Sequence, residues 1–481
     1  MSSIRFASTQ GRWVIATAVL GSGIAFLDGS IVNTALPKIQ QTFDASLAGQ
    51  QWVVTGYLLT LGSLLVVGGS LGDLFGRRRM FVYGLIGFSL TSMFCGLAPN
   101  LGVLIGARAA QGASAALLVP GSMAMLAAVF HPDDRARALG AWSGLSSVST
   151  AIGPFIGGWL IDSVSWRWVF LINVPLAAIA VVIAQRFVPE TRGDAIPGTP
   201  RYSQIDYPGA VALSVGLAGV VYALIEGPAN RWPGAAVAAL VVGLVSLVTF
   251  AVVETRSGIP MVPLAMFRSR RFAGANAATF VMWGAIGAVF FLLTIHLQND
   301  LGYSALEAGA STLPVTGLML LFAAKSGAIA QRVGPRLQMS IGPLVTAAAF
   351  AWMSRVKPGV SYLTGVLPQI LLFGAGLVIT VAPLTATVLA AVEDSRTGIG
   401  SAINNAVARV ASLLAIAVLP ALSGIAVGGT GSLATGFGRA MWICGVFAAA
   451  GGVICFFAIV NDPEGSGESA FPKSAGVHLA G

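Results

Sequence analysis

The chain has 481 residues, of which 56% are strongly apolar and only 9% charged, where a soluble protein carries about 25% charged residues. That composition excludes a soluble globular fold and a disordered chain, and its long unbroken apolar runs exclude a transmembrane barrel of alternating strands. The excess of 27 basic over 18 acidic residues, net +9, points to membrane topology and not to nucleic acid, for which no soluble basic module is present.

At about 20 apolar residues per crossing, the sequence predicts fourteen spans near 13–36, 51–72, 80–98, 101–129, 138–161, 168–187, 207–226, 234–253, 273–297, 306–324, 337–355, 362–391, 398–427 and 439–460. The first apolar run, from Trp13, lacks a small-residue cleavage pattern and is expected to be retained. Span 1 contains LDGSIVNTALPKIQ (Leu27 to Gln40), with Asp28 roughly 24 Å along the helix and Asn33 beyond it. Asp28 is the one carboxylate well inside a span, where it must be paired, hydrated or protonated. Span 2 brings Trp52 and Tyr57, and the loop after it reads GSLGDLFGRRRMF, with Gly69, Gly72, Asp73, Gly76, Arg77 and Arg78. Span 4 carries RAAQG, with Arg108 and Gln111; span 5 carries Trp142 and GPFIGG, with Gly153, Pro154, Gly157 and Gly158. Small residues at spacings of three and four let helices approach closely. Later spans contribute Trp283, His296 near an outer end, and Asn404, Asn405 and Arg409 in span 13. Tyr57, Trp142 and Trp283 are candidate liners of a cavity for flat lipophilic compounds, together with Asn33, Asn404 and Arg409; His296 is expected at the membrane interface. Cys95, Cys444 and Cys455 are spaced for neither a metal nor a disulfide framework and are expected to pack. No metal and no cofactor are expected.

With both termini placed in the cytoplasm, nineteen of the 27 Lys and Arg fall on that side, six fall outside, and Arg108 and Arg409 lie within spans. This is the positive-inside pattern. Connections are too short to hold an ATPase domain. Gly69 matches Gly327 and Gly76 matches Gly334, each pair 258 residues apart, with Arg78 matching Arg336; Asp134 and Arg135 echo Glu393 to Arg396. Equivalent loops are thus eight spans apart, and parallel six-span halves leave two spans inserted between them. The expected division is a six-helix bundle over 1–188, a linker with spans 7 and 8 over 189–272, a second six-helix bundle over 273–460 and a cytoplasmic tail over 461–481.

The four stretches in spans 1, 4 and 5 and in the loop after span 2 resemble the major facilitator superfamily, specifically its fourteen-span drug:proton antiporters, over most of the chain. Leu74, Ser149 and Gln331 depart from the usual pattern, so any first-half loop latch is not fully mirrored in the second half. The resemblance implies two bundles plus two inserted helices, a proton as coupling ion, Asp28 binding the proton or a substrate cation, Arg108 facing a central cavity and tuning Asp28, and Gln111 lining it. It also implies that span 5 packs on span 10, a pattern that accompanies exporters. The Asp73 loop is expected to latch spans 2 and 11 in the outward-open state.

The reading is therefore a monomeric, proton-coupled exporter in a bacterial inner membrane. Its expected substrates are lipophilic monovalent cations, zwitterions or neutral compounds. An exporter of lipid or cell-envelope precursors on the same fold is the alternative. An importer is disfavoured by the span 5 pattern, and an enzyme by the lack of any catalytic constellation.

Overall fold

The computed structural model describes residues 4–193, 199–392, 397–425 and 433–461. Glu393 to Arg396, Lys473 and the tail beyond 461, on which parts of the topology and repeat expectations rest, lie outside the described residues. Fourteen helical columns follow one another: α1 Thr9–Phe43, α2 Leu47–Phe75, α3 Arg77–Gly96, α4 Leu101–Val129, α5 Pro132–Ser163, α6 Trp168–Phe187, α7 Tyr207–Ala229, α8 Gly234–Arg256, α9 Arg270–Asn299, α10 Ala305–Val333, α11 Pro335–Met353, α12 Leu367–Ala390, α13 Thr397–Leu422 and α14 Leu433–Ala458. Thirteen of these are long and apolar enough to cross a membrane. The other, α11, carries Arg336, Gln338 and Ser340 in its first turns and packs between α12 and α14. Among the described residues there is no strand, only one isolated bridge between Ile4 and Phe130.

Three columns are broken, each ahead of a proline that removes a backbone donor; α6 breaks at Ile172 ahead of Pro175. Column α4 turns at Ala116 and Leu117 ahead of Pro120, and α10 turns at Ser311 and Thr312 ahead of Pro314. The break in α4 is used for packing. Gly68 of α2 lies directly against the Ala116 carbonyl, where any Cβ would collide with it.

Helices α1–α6 pack into one bundle and α9–α14 into another. The inserted pair α7 and α8 pack on each other, and α7 leans on α2 and α13. Trp52 of α2 fastens this pair by donating its indole N–H to Glu226 at 2.8 Å. Helix α8 turns Val237, Val241, Val245 and Val248 outward, as a lipid-facing helix should.

The bundles meet through α2 on α13, α5 on α10 and α1 on α9, and the contact is one-sided. Away from the termini, Gln51 donates to the Ile416 and Ala417 carbonyls at 2.7 and 3.1 Å. Gln298 donates to Thr34 O at 3.0 Å, and Asp162 accepts from the amides of Ala305 and Leu306 at 3.3 and 2.8 Å. The small-residue face of α5 makes this seal possible: Gly158 lies against the backbone of Ala305 and Leu306, and Gly309 against Pro154. Towards the termini, Gly140 and Gly144 of α5 and Gly317 of α10 have nothing within 4 Å of a Cβ position. In that half, Ser401 to Met123 Sδ at 3.8 Å is the one hydrogen bond joining the bundles among the described residues. A cleft therefore opens on the face that carries the start of α1 and the end of α14.

Candidate functional site

The strongest polar constellation is built on close helix approaches in the first bundle. Gly112 of α4 sits against the Tyr57 carbonyl of α2, and Thr60 donates to Ala109 O at 2.7 Å. One turn earlier this contact pins Arg108, whose Nε donates to Val53 O at 3.1 Å and whose guanidinium lies 4.3 Å above the Tyr57 ring. Its Nη1 forms an ion pair with Asp28 and also donates to Gln111 Oε1 at 2.7 Å. Asp28 accepts further hydrogen bonds from Gln111 at 3.0 Å and Asn173 at 3.2 Å. Ser92 ties both amides together, accepting at 3.1 and 3.0 Å and donating to Phe170 O at 2.8 Å.

Asp28 is 0% exposed and Arg108 1%. Such burial is tolerable because the charges are opposite and nearly every polar atom is bonded; the exception is Asn173 Oδ1, which has no partner. Asn173 and Ser92 are absent from the sequence-level expectations. The signal for Asn173 was an amide in the apolar segment NVPLAAIAVV, at the start of the second segment of α6.

The structure brings Asp28, Arg108 and Gln111 together, but inside the bundle and not on the cleft. The expectation that Arg108 faces and Gln111 lines a central cavity is corrected accordingly, and no substrate cation can reach Asp28 here. Tyr57 and Trp142 are likewise core residues and not cavity liners. Tyr57 is covered by Arg108 and donates to Ala25 O at 3.2 Å, and Trp142 donates to Ser22 at 3.1 Å. Helix rotation turns both inward. His296, in the last turn of α9, is buried among protein side chains, 2.6 Å from Asp300 and stacked on Phe437 at 3.9 Å.

In the second bundle, Asn404 donates to Asn276 at 3.1 Å and Thr279 at 2.8 Å, a neutral cluster. Asn33 and Trp283 are half-buried, and Asn33 Oδ1 has no partner. Arg409, midway along α13, is half-buried and sits across from α1 and α2, 5.7 Å from the Phe26 ring and beside Gly62.

The glycine-cornered loop does not latch span 11 in this structure. Arg77 bonds Asp73 at 2.7 Å within its own half, and Asp73 O accepts from Gly193 N at 2.8 Å. The Arg78 amide donates to Glu190 at 3.1 Å and its guanidinium to Val188 O at 3.0 Å. Gly69 faces Pro120, and Gly76, at φ +119, holds its corner against the Glu190 carboxylate. The second-half loop repeats the device. Gly334, at φ +83, corners against Asn461, whose Oδ1 accepts from the Arg336 amide at 3.1 Å. Each loop clamps the segment that follows its own bundle, which is why the two do not meet.

The family model of the Major Facilitator Superfamily matches residues 18–416. A tetracenomycin C resistance and export protein of Streptomyces glaucescens is 35% identical over 87% of this chain and 77% of its own length. The puromycin resistance protein of Streptomyces alboniger is 34% identical over 85% and 81%. The multidrug resistance protein Stp of Mycobacterium tuberculosis is 33% identical over 85% and 75%. Among solved structures, a peptide transporter in complex with sulfate superposes with a TM-score of 0.70 at 14% identity, covering 94% of this chain and 96% of that one. A D-xylose-proton symporter does so with a TM-score of 0.66 at 15% identity, covering 94% and 98%; at such identity the likeness is one of fold.

Proposed function

The chain belongs to the major facilitator superfamily, and on that premise we propose that this membrane transporter exports lipophilic small molecules in exchange for protons. The relatives named for resistance and export support the direction. The observation that carries the coupling is the sealed Asp28–Arg108 pair. By the positive-inside rule the open face is cytoplasmic, so the described state receives substrate from inside a bacterial cell.

Protonation of Asp28 would cancel the charge that holds Arg108 and force α1, α4 and α6 to repack. Stripping one partner from a buried pair costs about 3–5 kcal/mol. A proton crossing 100 mV supplies roughly 2.3 kcal/mol. With Asp28 neutral, Arg108 still keeps Val53 O and Gln111 Oε1 as acceptors, so the guanidinium is not left unbonded. This arrangement makes the pair a switch that one proton can operate and that no substrate needs to touch.

The test is transport in proteoliposomes under an imposed pH gradient, with tetracenomycin C as the probe. Wild type should accumulate probe on the acidic side. Asp28→Asn should lose that accumulation, by at least tenfold, yet keep downhill exchange. Full gradient-driven accumulation by Asp28→Asn would remove Asp28 from the coupling.

A further inference from the structure

The molecule holds two guanidiniums deep within spans, and their surroundings are opposite. Arg108 is spent on Asp28, Gln111 and a carbonyl. Arg409 has no hydrogen bond or ion pair among the described residues; its neighbours are the Phe26 ring at 5.7 Å, the bare Gly62 of α2 and, within electrostatic range, Tyr57. Asn405, one turn before it on α13, spends its amide on Ser401 O of the same helix. The other acids of the described residues lie at helix ends or in loops, and Asp28 is already saturated by three donors. Among the described residues, no acid is placed to neutralise Arg409.

An ionisable side chain half-way across a membrane is retained when it meets a partner or lines a pathway. Arg409 is half-buried between the bundles, where α13 stands across from Phe26 of α1 and Gly62 of α2. A guanidinium offers five donors in a planar fork that matches a carboxylate, and the Phe26 ring beside it supplies a flat apolar surface. We propose that Arg409 recognises a carboxylate on the transported molecule, so that the cleft selects lipophilic carboxylic acids and zwitterions and disfavours compounds whose only charge is positive. The proposal rests on the exporter reading and narrows it. It also departs from the sequence-level expectation of monovalent cations, because the carboxylate meant to receive a cation is sealed within the first bundle.

The test uses three probes on one fluorescent scaffold, pyrenebutyrate, its amide and pyrenebutylamine, with binding to detergent-purified protein measured alongside gradient-driven transport. Wild type should bind the acid at least tenfold more tightly than the amide, and the amine most weakly. Arg409→Gln should bring the acid down to the amide, and leave the amide unchanged. Arg409→Lys should restore part of the preference, since the charge returns without the fork. Equal losses for acid and amide, or a wild type that prefers the amine, would overturn the assignment. Binding preference without gradient-driven transport would leave Arg409 in its role and defeat the proton-coupling reading instead.

Discussion

The two bundles share a scaffold and divide the chemistry. Each places a positive-φ glycine at the corner after its second helix, and each has a side-chain oxygen from the segment after its sixth helix accepting the amide two residues on, Glu190 for Arg78 and Asn461 for Arg336. Their centres differ. The first encloses an ion pair satisfied by three further polar side chains; the second has the neutral Asn276–Asn404–Thr279 cluster, keeps its His296–Asp300 pair at a helix end, and leaves Arg409 between the bundles. Internal repetition preserved the mechanics of the loops. It left the switch in one half and the open recognition group in the other.

The sharpest way to break this contrast is to neutralise each guanidinium. Arg108→Gln strands Asp28 as a buried carboxylate with only neutral donors, and should destabilise the protein by about 3–5 kcal/mol. Arg409→Gln removes a cation that no group among the described residues balances, and should leave thermal stability unchanged or raised. Melting in detergent, followed by tryptophan fluorescence, distinguishes them. Equal losses would mean that Arg409 also has a structural partner and that the two halves are not so divided.

The shared part can be tested at its corners. A Cβ on Gly76 would lie 2.8 Å from Glu190, and one on Gly334 would run into Asn461; both backbones are at positive φ. Gly76→Ala and Gly334→Ala should therefore each cost about 1–3 kcal/mol, with similar size in the two halves. If one substitution proves silent, the loops are equivalent in shape but not in load.

Much of this was legible because charge is so scarce. In a chain with 9% charged residues, Asp28 and Arg108 stand out within their spans, and their pairing follows from the need of each for a partner. The fourteen columns and the inserted pair follow from apolar length and loop spacing, and the α5–α10 contact from the family resemblance. Rotation about a helix axis was not legible: Tyr57 and Trp142 could face a cleft or a core, and only neighbouring helices decide. Asn173 escaped because a neutral amide in a span is unremarkable until the break at Ile172 brings it to Asp28. The partners of the glycine loops, Glu190 and Asn461, lie more than a hundred residues away in sequence, beyond any local pattern.

The smallest effect expected concerns Asp73. Its carboxylate is 47% exposed and its partner Arg77 17%, so the pair is a surface one, worth under about 1 kcal/mol. The stronger tie of this residue is its carbonyl, which holds Gly193 at 2.8 Å and survives a change of side chain. Asp73→Asn should accordingly shift stability by less than about 1 kcal/mol. It should also leave the distance between labels at Arg79 and Leu337 unchanged, because every partner of the cluster belongs to the first bundle and to the segment that follows it. Pulsed electron-paramagnetic-resonance distances in the absence of substrate measure this directly. A longer distance in the Asp73→Asn protein would show that the loop reaches the second bundle in the other transport state, and that the two halves are joined at the very place where this structure keeps them apart.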